Sequence, residues 1–169
     1  MKRLSALLAA LFLCAAAGCR ESPEFSTGQA APDFDLPLLS GAPRQIRLSE
    51  AARENPVLLV FWASWCPACV EEIPELNGWY EEYAPRGLRL LGINVAESPW
   101  QILKFMRLQP IRYPVLLDKD GAVANLYGVA GIPAAVLIAK GGKIQYYGFS
   151  LPRNIESFLE PKERKKDEP

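Results

Sequence analysis

No histidine occurs among the 169 residues. Its absence excludes Ser-His-Asp and Cys-His catalysis, imidazole metal sites and histidine-based pH switching. Charge of one sign is missing too, because 19 Lys and Arg balance 19 Asp and Glu. No basic stripe points to nucleic acid, and no acidic block points to a charged partner. Methionine occurs twice and cysteine four times. With 50% of the chain hydrophobic, a sizeable core can form without disulfide staples. The length suits one domain with some chain left for tails.

The start, "MKRLSALLAALFLCAAAGCRES", has the form of an export signal. Lys2 and Arg3 are followed by a short apolar run and then by small residues suited to cleavage. The run is too short for a comfortable membrane span. "AAGC" resembles a bacterial lipobox, in which Cys19 becomes the lipidated first residue, although Ala16 stands where a strong lipobox has leucine. Residues 1–18 are therefore expected to be a signal peptide and 19–30 a lipidated tether, with one domain at 31–160 and a charged tail at 161–169. That places the domain in a bacterial cell envelope, facing the periplasm and anchored to a membrane by lipid. With Cys14 removed and Cys19 carrying lipid, the remaining thiols are Cys66 and Cys69, in a compartment where disulfides persist.

Strand and helix patterns alternate along the domain. "DFDLPLL" and "RQIRLSE" suggest a hairpin, with a helical turn near Ser49. "VLLVFWAS" is a continuous apolar run of β formers, predicting a buried central strand. A helix from Pro67 fits Val70, Ile73, Leu76, Trp79, Tyr80 and Tyr83, with Pro74 inside it. "LRLLGINVAES" is a second buried strand. A helix capped by Ser98 follows, with Pro99 at its first position. "YPVLLD" is a strand, "AVANLYG" a short helix closed by Gly128, and "PAAVLIAKGGKIQYYGFS" a hairpin turning at Gly-Gly. "PRNIESFLE" predicts a last helix. The fold class is α/β, a three-layer sandwich with a mixed central sheet and an N-terminal hairpin extension.

"FWASWCPACVEEIP" carries the chemistry. Structural zinc needs four ligands, and after maturation only two thiols and no imidazole remain. A bridge across two intervening residues constrains the unfolded chain very little, which disfavours a stapling role. Two incidental buried thiols sit poorly with an exported protein. A redox pair fits best. Cys66 follows a strand and opens a helix, where unpaired N–H groups and the helix dipole favour a thiolate. Cys69 lies one turn on, within reach to resolve a mixed disulfide.

"VFWASWCPACVEEIPEL", together with "GINVAES", "YPVLLDKDGAVANLYGV" and "GIPAAVLI", resembles the TlpA/ResA-like thiol-disulfide oxidoreductases, which have a thioredoxin-like fold and are tethered to bacterial membranes. The resemblance covers about residues 30–160. It implies that Cys66 is the exposed nucleophile and Cys69 the resolving thiol. It implies that Pro133 is a cis-proline beside the pair, with Ile132 offering backbone to an extended substrate. It also implies that Glu72 is an acidic residue able to tune a thiol pKa or move a proton, against the plainer reading of a solvated helix carboxylate. Trp65 and Pro67 flank the nucleophile as substrate-contacting residues, and Trp62 belongs to the core. The chain departs from its relatives at Ala68, which keeps an N–H where many have proline and could thereby stabilise the Cys66 thiolate. It departs again at Val60, where thioredoxins proper have a buried aspartate.

The resemblance further implies reduction of protein disulfides, apocytochrome c among them, by a monomer fed by a membrane thiol-disulfide electron donor, with no cofactor beyond the Cys66–Cys69 disulfide; the ligand count above leaves no metal expected. Three alternatives remain: an envelope oxidant or isomerase, a Cu(I) carrier using the two soft thiolates, and a peroxidase. The peroxidase reading lacks the Pro-x-x-x-Thr-x-x-Cys pattern of peroxiredoxins.

Overall fold

A computed structural model describes residues 25–40 and 45–159. The expected signal peptide, Cys19 and the charged tail lie outside the described residues. Two antiparallel strands, β1 (Asp35–Pro37) and β2 (Gln45–Arg47), precede the short helix α1 (Leu48–Ala51). Then follow β3 (Val57–Trp62), α2 (Pro67–Tyr83), β4 (Arg89–Val95), α3 (Pro99–Met106), β5 (Val115–Asp118) and α4 (Ala122–Leu126). The hairpin of β6 (Ala134–Ile138) and β7 (Ile144–Gly148) leads to α5 (Glu156–Leu159). Among the described residues, no helix is long and apolar enough to cross a membrane.

The central sheet has the order β5-β4-β3-β6-β7. β3, β4 and β5 run parallel, and β6 and β7 are antiparallel to their neighbours. β3 is buried along its whole length because both its faces are covered. Side-chain alternation splits its apolar run in two. Leu58, Val60 and Trp62 join α2, α3 and α5 in one core, and Val57, Leu59 and Phe61 join α1, α4 and the β1–β2 extension in the other. The result is the expected three-layer sandwich.

Two close fits lock the layers. On β4, a Cβ added at Gly92 would lie 2.7 Å from Cε2 of Tyr113 and 3.1 Å from Nε1 of Trp62, so only glycine lets both rings cross the strand. Asp118, 1% exposed, is satisfied by the Val123 and Ala124 N–H groups at 3.1 and 2.8 Å, which tie the end of β5 to the start of α4.

The tether expectation needs correction. Residues 25–31 pack on the domain instead of leading away from it. Phe25 stacks on Tyr127 with ring centroids 5.6 Å apart, and Gly28 N–H donates to the Ile144 carbonyl while Ile144 N–H donates to that of Gln29. The Tyr127 hydroxyl donates to the Pro32 carbonyl at 2.7 Å. An aromatic anchor and backbone hydrogen bonds to the start of β7 outweigh the polar composition that suggested a free linker. Among the described residues the packed domain therefore includes Phe25 onward.

Candidate active site

The sheet order gathers the site. β3 is central, so its C-terminal end is flanked by the end of β4 and, because β6 runs the other way, by the start of β6. Trp62 pairs with Asn94 on one side, and Phe61 pairs with Ala134 on the other. The turn 63–66 thus emerges between Ala96–Ser98 and Ile132–Pro133. Residues far apart in sequence converge there because three strand ends do.

Cys66 is the N-cap of α2, with extended backbone (φ −92, ψ 105) and Pro67 at the first helical position. Its N–H donates to the Ala63 carbonyl, and its carbonyl accepts from Val70. Cys66 and Cys69 form a disulfide, with Cα atoms 5.3 Å apart. Cys66 Sγ accepts the Cys69 N–H at 3.2 Å. In the disulfide form the donor to Cys66 Sγ is Cys69 N–H, at the third helical position. An N-cap side chain reaches either the second or the third N–H, and here it takes the third.

One expectation changes in kind. Cys66 is 5% exposed and Cys69 2%, so the nucleophile is nearly enclosed and not openly exposed. The Ile132 carbonyl oxygen lies 3.6 Å from Cys66 Sγ, and the Ile132–Pro133 peptide is cis. Ile132 and Pro133 are half-buried beside the sulfur, Pro67 is exposed, and Trp65 stands 67% exposed at the rim. Trp62 is core.

Glu72 is half-buried, one turn beyond Cys69, while Glu71 beside it is exposed. Burial, with a smaller contribution from the negative charge of Glu75, raises the Glu72 pKa to about 7. Glu72 in turn adds to the effect of burial in pushing the Tyr113 hydroxyl upward, which places the carboxyl near the buried phenol. A freely solvated helix carboxylate would not be held there. The group can take up or release a proton near neutrality, one turn from the resolving sulfur.

Sequence reasoning missed Glu97. It is 5% exposed and follows Ala96, whose φ is +59. Its Oε2 accepts the Ser64 N–H and the Asn94 side-chain amide, both at 2.7 Å, and its Oε1 accepts the Ser64 hydroxyl. This buried carboxyl pins the turn before Cys66 to the end of β4. A lone acid between an apolar strand and a capped helix, in "GINVAES", is the signal that could have revealed it.

The AhpC/TSA family profile matches residues 27–147. A thiol-disulfide oxidoreductase ResA from Geobacillus thermodenitrificans is 36% identical over 125 residues, 74% of this chain and 70% of the relative. The Geobacillus kaustophilus protein of the same name is 34% identical over 142 residues, 83% of this chain and 80% of the relative. Among solved structures, a Chlorobium tepidum protein provisionally described as the thiol:disulfide interchange protein DsbE superposes with a TM-score of 0.68. It is 32% identical, and the match covers 78% of this chain and 92% of that one.

Proposed function

The chain belongs to the AhpC/TSA family and is a thiol-disulfide oxidoreductase of thioredoxin-like fold, and we propose that it works as a reductase of protein disulfides in a bacterial envelope. The helix N-terminus supports a thiolate at Cys66, and we rest the reducing direction on how little adds to that support. Pro67 contributes no N–H, and the backbone donor that reaches the sulfur is Cys69 N–H. The carboxyl of Glu72, one turn beyond Cys69, disfavours further negative charge nearby. A weakly stabilised thiolate keeps the dithiol form high in free energy, and so makes it a stronger reductant.

The proposed cycle balances two electrons and two protons. The Cys66 thiolate attacks one sulfur of the substrate disulfide, and the other leaves as a thiolate and takes up a proton. Cys69 loses its proton, with Glu72 one helical turn on assigned as the acceptor, and attacks Cys66 Sγ. The Cys66–Cys69 disulfide forms and the second substrate sulfur leaves reduced. A dithiol donor in the membrane then restores the pair by the same exchange in reverse. Ile132 and Pro133 supply the edge along which an extended substrate lies, and Trp65 and Pro67 complete the rim. The Cys66–Cys69 disulfide serves as the whole redox centre. The "AAGC" segment supports lipid attachment at Cys19, and reduction of apocytochrome c before haem attachment is the specific task we assign.

The test is the reduction potential of the Cys66–Cys69 couple, followed by tryptophan fluorescence in thiol redox buffers. A value near the thioredoxin end of the scale, about −270 mV, supports a reductase. A value near about −120 mV makes the protein an oxidant and removes the cytochrome-maturation reading.

A further inference from the structure

Helix α3 turns an unusual face to solvent. Ile102 is buried, and Phe105 and Met106 pack inward. On the opposite side stand Trp100 at 69% exposure, Leu103 at 48% and, just beyond the helix, Leu108 at 85%. Lys104 and Arg107 lie on the same side and are exposed. Lys104 Nζ sits 5.3 Å from the centre of the Trp100 ring. Residues 98–117 contain Lys104, Arg107 and Arg112 and no Asp or Glu. Arg112 pairs with Glu81, whereas no carboxylate of the described residues lies within 4.0 Å of Lys104 or Arg107.

The start of this helix is tied to the turn before Cys66. Glu97 binds the backbone and hydroxyl of Ser64 and directly precedes Ser98, the N-cap of α3. A capping box between Ser98 and Gln101 fixes the first turn of the helix. Trp65 and Trp100 are therefore held at the same sheet end, on either side of one buried clamp. Any polypeptide joined to Cys66 in a mixed disulfide must cover the surface around that sulfur. Ile132 and Pro133 bound it on one side, and the start of α3 bounds it on the other.

We propose that the outward face of α3 is the docking surface for the partner polypeptide, and that it selects disulfides flanked by acidic and apolar residues. This rests on the reading of the protein as an exchanger of polypeptide disulfides. Two exposed cations set among exposed Trp and Leu side chains complement carboxylates interspersed with apolar groups. Such complementarity acts chiefly on encounter rate and partner choice.

The experiment uses the reduced full chain and two disulfide-containing peptides of equal length, one with Asp and Leu beside its cystine and one with Lys and Leu. Oxidation rates are normalised, variant by variant, to the rate with neutral 2-hydroxyethyl disulfide. The expected result is about a tenfold preference for the acidic peptide at low salt, shrinking as salt is raised. K104E/R107E should abolish or invert that preference. K140E/K143E makes the same change in net charge at the far end of the β6–β7 hairpin and should retain it. A ratio near one in the unaltered chain, or one untouched by K104E/R107E, overturns the proposal, as does equal loss in K140E/K143E. Vesicles containing phosphatidylglycerol supply a further arm. Binding that K104E/R107E removes, with the peptide ratio unmoved, makes this a membrane face and overturns the docking reading. Oxidation by the neutral disulfide but by neither peptide overturns docking alone. No reaction with any of the three removes the proposed function as well.

Discussion

Replacing Glu97 separates a positional role from an incidental one, because two substitutions at this site should differ sharply. Glu97 Oε2 accepts two donors at 2.7 Å, the Ser64 N–H and the Asn94 amide, and Oε1 accepts the Ser64 hydroxyl. In Glu97→Gln the amide oxygen can take the Oε2 place and keep both N–H donors. The new NH2 group then meets the Ser64 hydroxyl, which rotates to accept. Only the charge assistance is lost, a cost of about 1 kcal/mol. In Glu97→Ala the Asn94 amide and the Ser64 N–H lose their acceptor in a site that is 5% exposed at Glu97. Each stranded donor costs about 1–3 kcal/mol, and relief from burying a carboxylate returns part of it, leaving about 3 kcal/mol. Urea unfolding of the oxidised protein measures both values. The alanine variant should also react faster with small neutral disulfides, since the turn that encloses Cys66 is no longer held. Equal costs for the two variants, or an alanine cost below about 1 kcal/mol, would refute the clamp.

Glu72→Gln should remove a pH-dependent step. Folding raises the proton affinity of Glu72 to a pKa of about 7, so its ionisation opposes folding progressively as pH rises from the ordinary carboxylate range through that value. The variant should therefore gain stability over the parent across that interval, and the rate of mixed-disulfide resolution should lose an inflection near the same pH. Identical pH profiles for both proteins contradict the assignment. Gly92→Ala places a Cβ 2.7 Å from the Tyr113 ring, and with both facing rings buried it should cost about 1–3 kcal/mol in thermal or urea unfolding. A neutral result means the rings can withdraw. Cys69→Ser should trap a mixed disulfide through Cys66, visible by mass under non-reducing conditions, while Cys66→Ser should trap far less. Equal trapping by the two variants defeats the assigned order of attack.

Much of the architecture was legible because it is local. The six buried residues of β3, the Ser98–Pro99 helix start and the Gly141–Gly142 turn each carry their signal within a few positions. Gly141 and Gly142 both have positive φ, at 86 and 85 degrees, as a tight Gly-Gly hairpin turn requires. The Cys-x-x-Cys pair was legible for the same reason, since one helical turn brings its members together. What stayed hidden depends on distant chain. The burial of Cys66 comes from its setting between the ends of β4 and β6. The place of Phe25 is set by Tyr127 and Tyr147, roughly a hundred positions on. Glu97 reads as an ordinary surface acid until the pairing of Trp62 with Asn94 brings it beneath Ser64. Spacing rules describe one element at a time, and these three facts arise where elements meet.

Enclosure of the sulfur has a consequence for selectivity. With Cys66 at 5% exposure and Cys69 at 2%, an incoming disulfide has to be brought to Cys66 along the half-buried ledge of Ile132 and Pro133. Ile132 turns its carbonyl toward the sulfur at 3.6 Å, so a small disulfide with no backbone gains little from the ledge. A cystine in an extended segment can rest its main chain along that edge and lower the entropic cost of alignment. The preference for polypeptide over small disulfides should therefore sit in the rate constant for forming the mixed disulfide, and only weakly in the equilibrium potential. Stopped-flow comparison of glutathione disulfide with an extended cystine peptide of matched charge tests this. A peptide advantage of about tenfold or more is expected, and equal second-order rate constants would mean that the ledge aligns nothing.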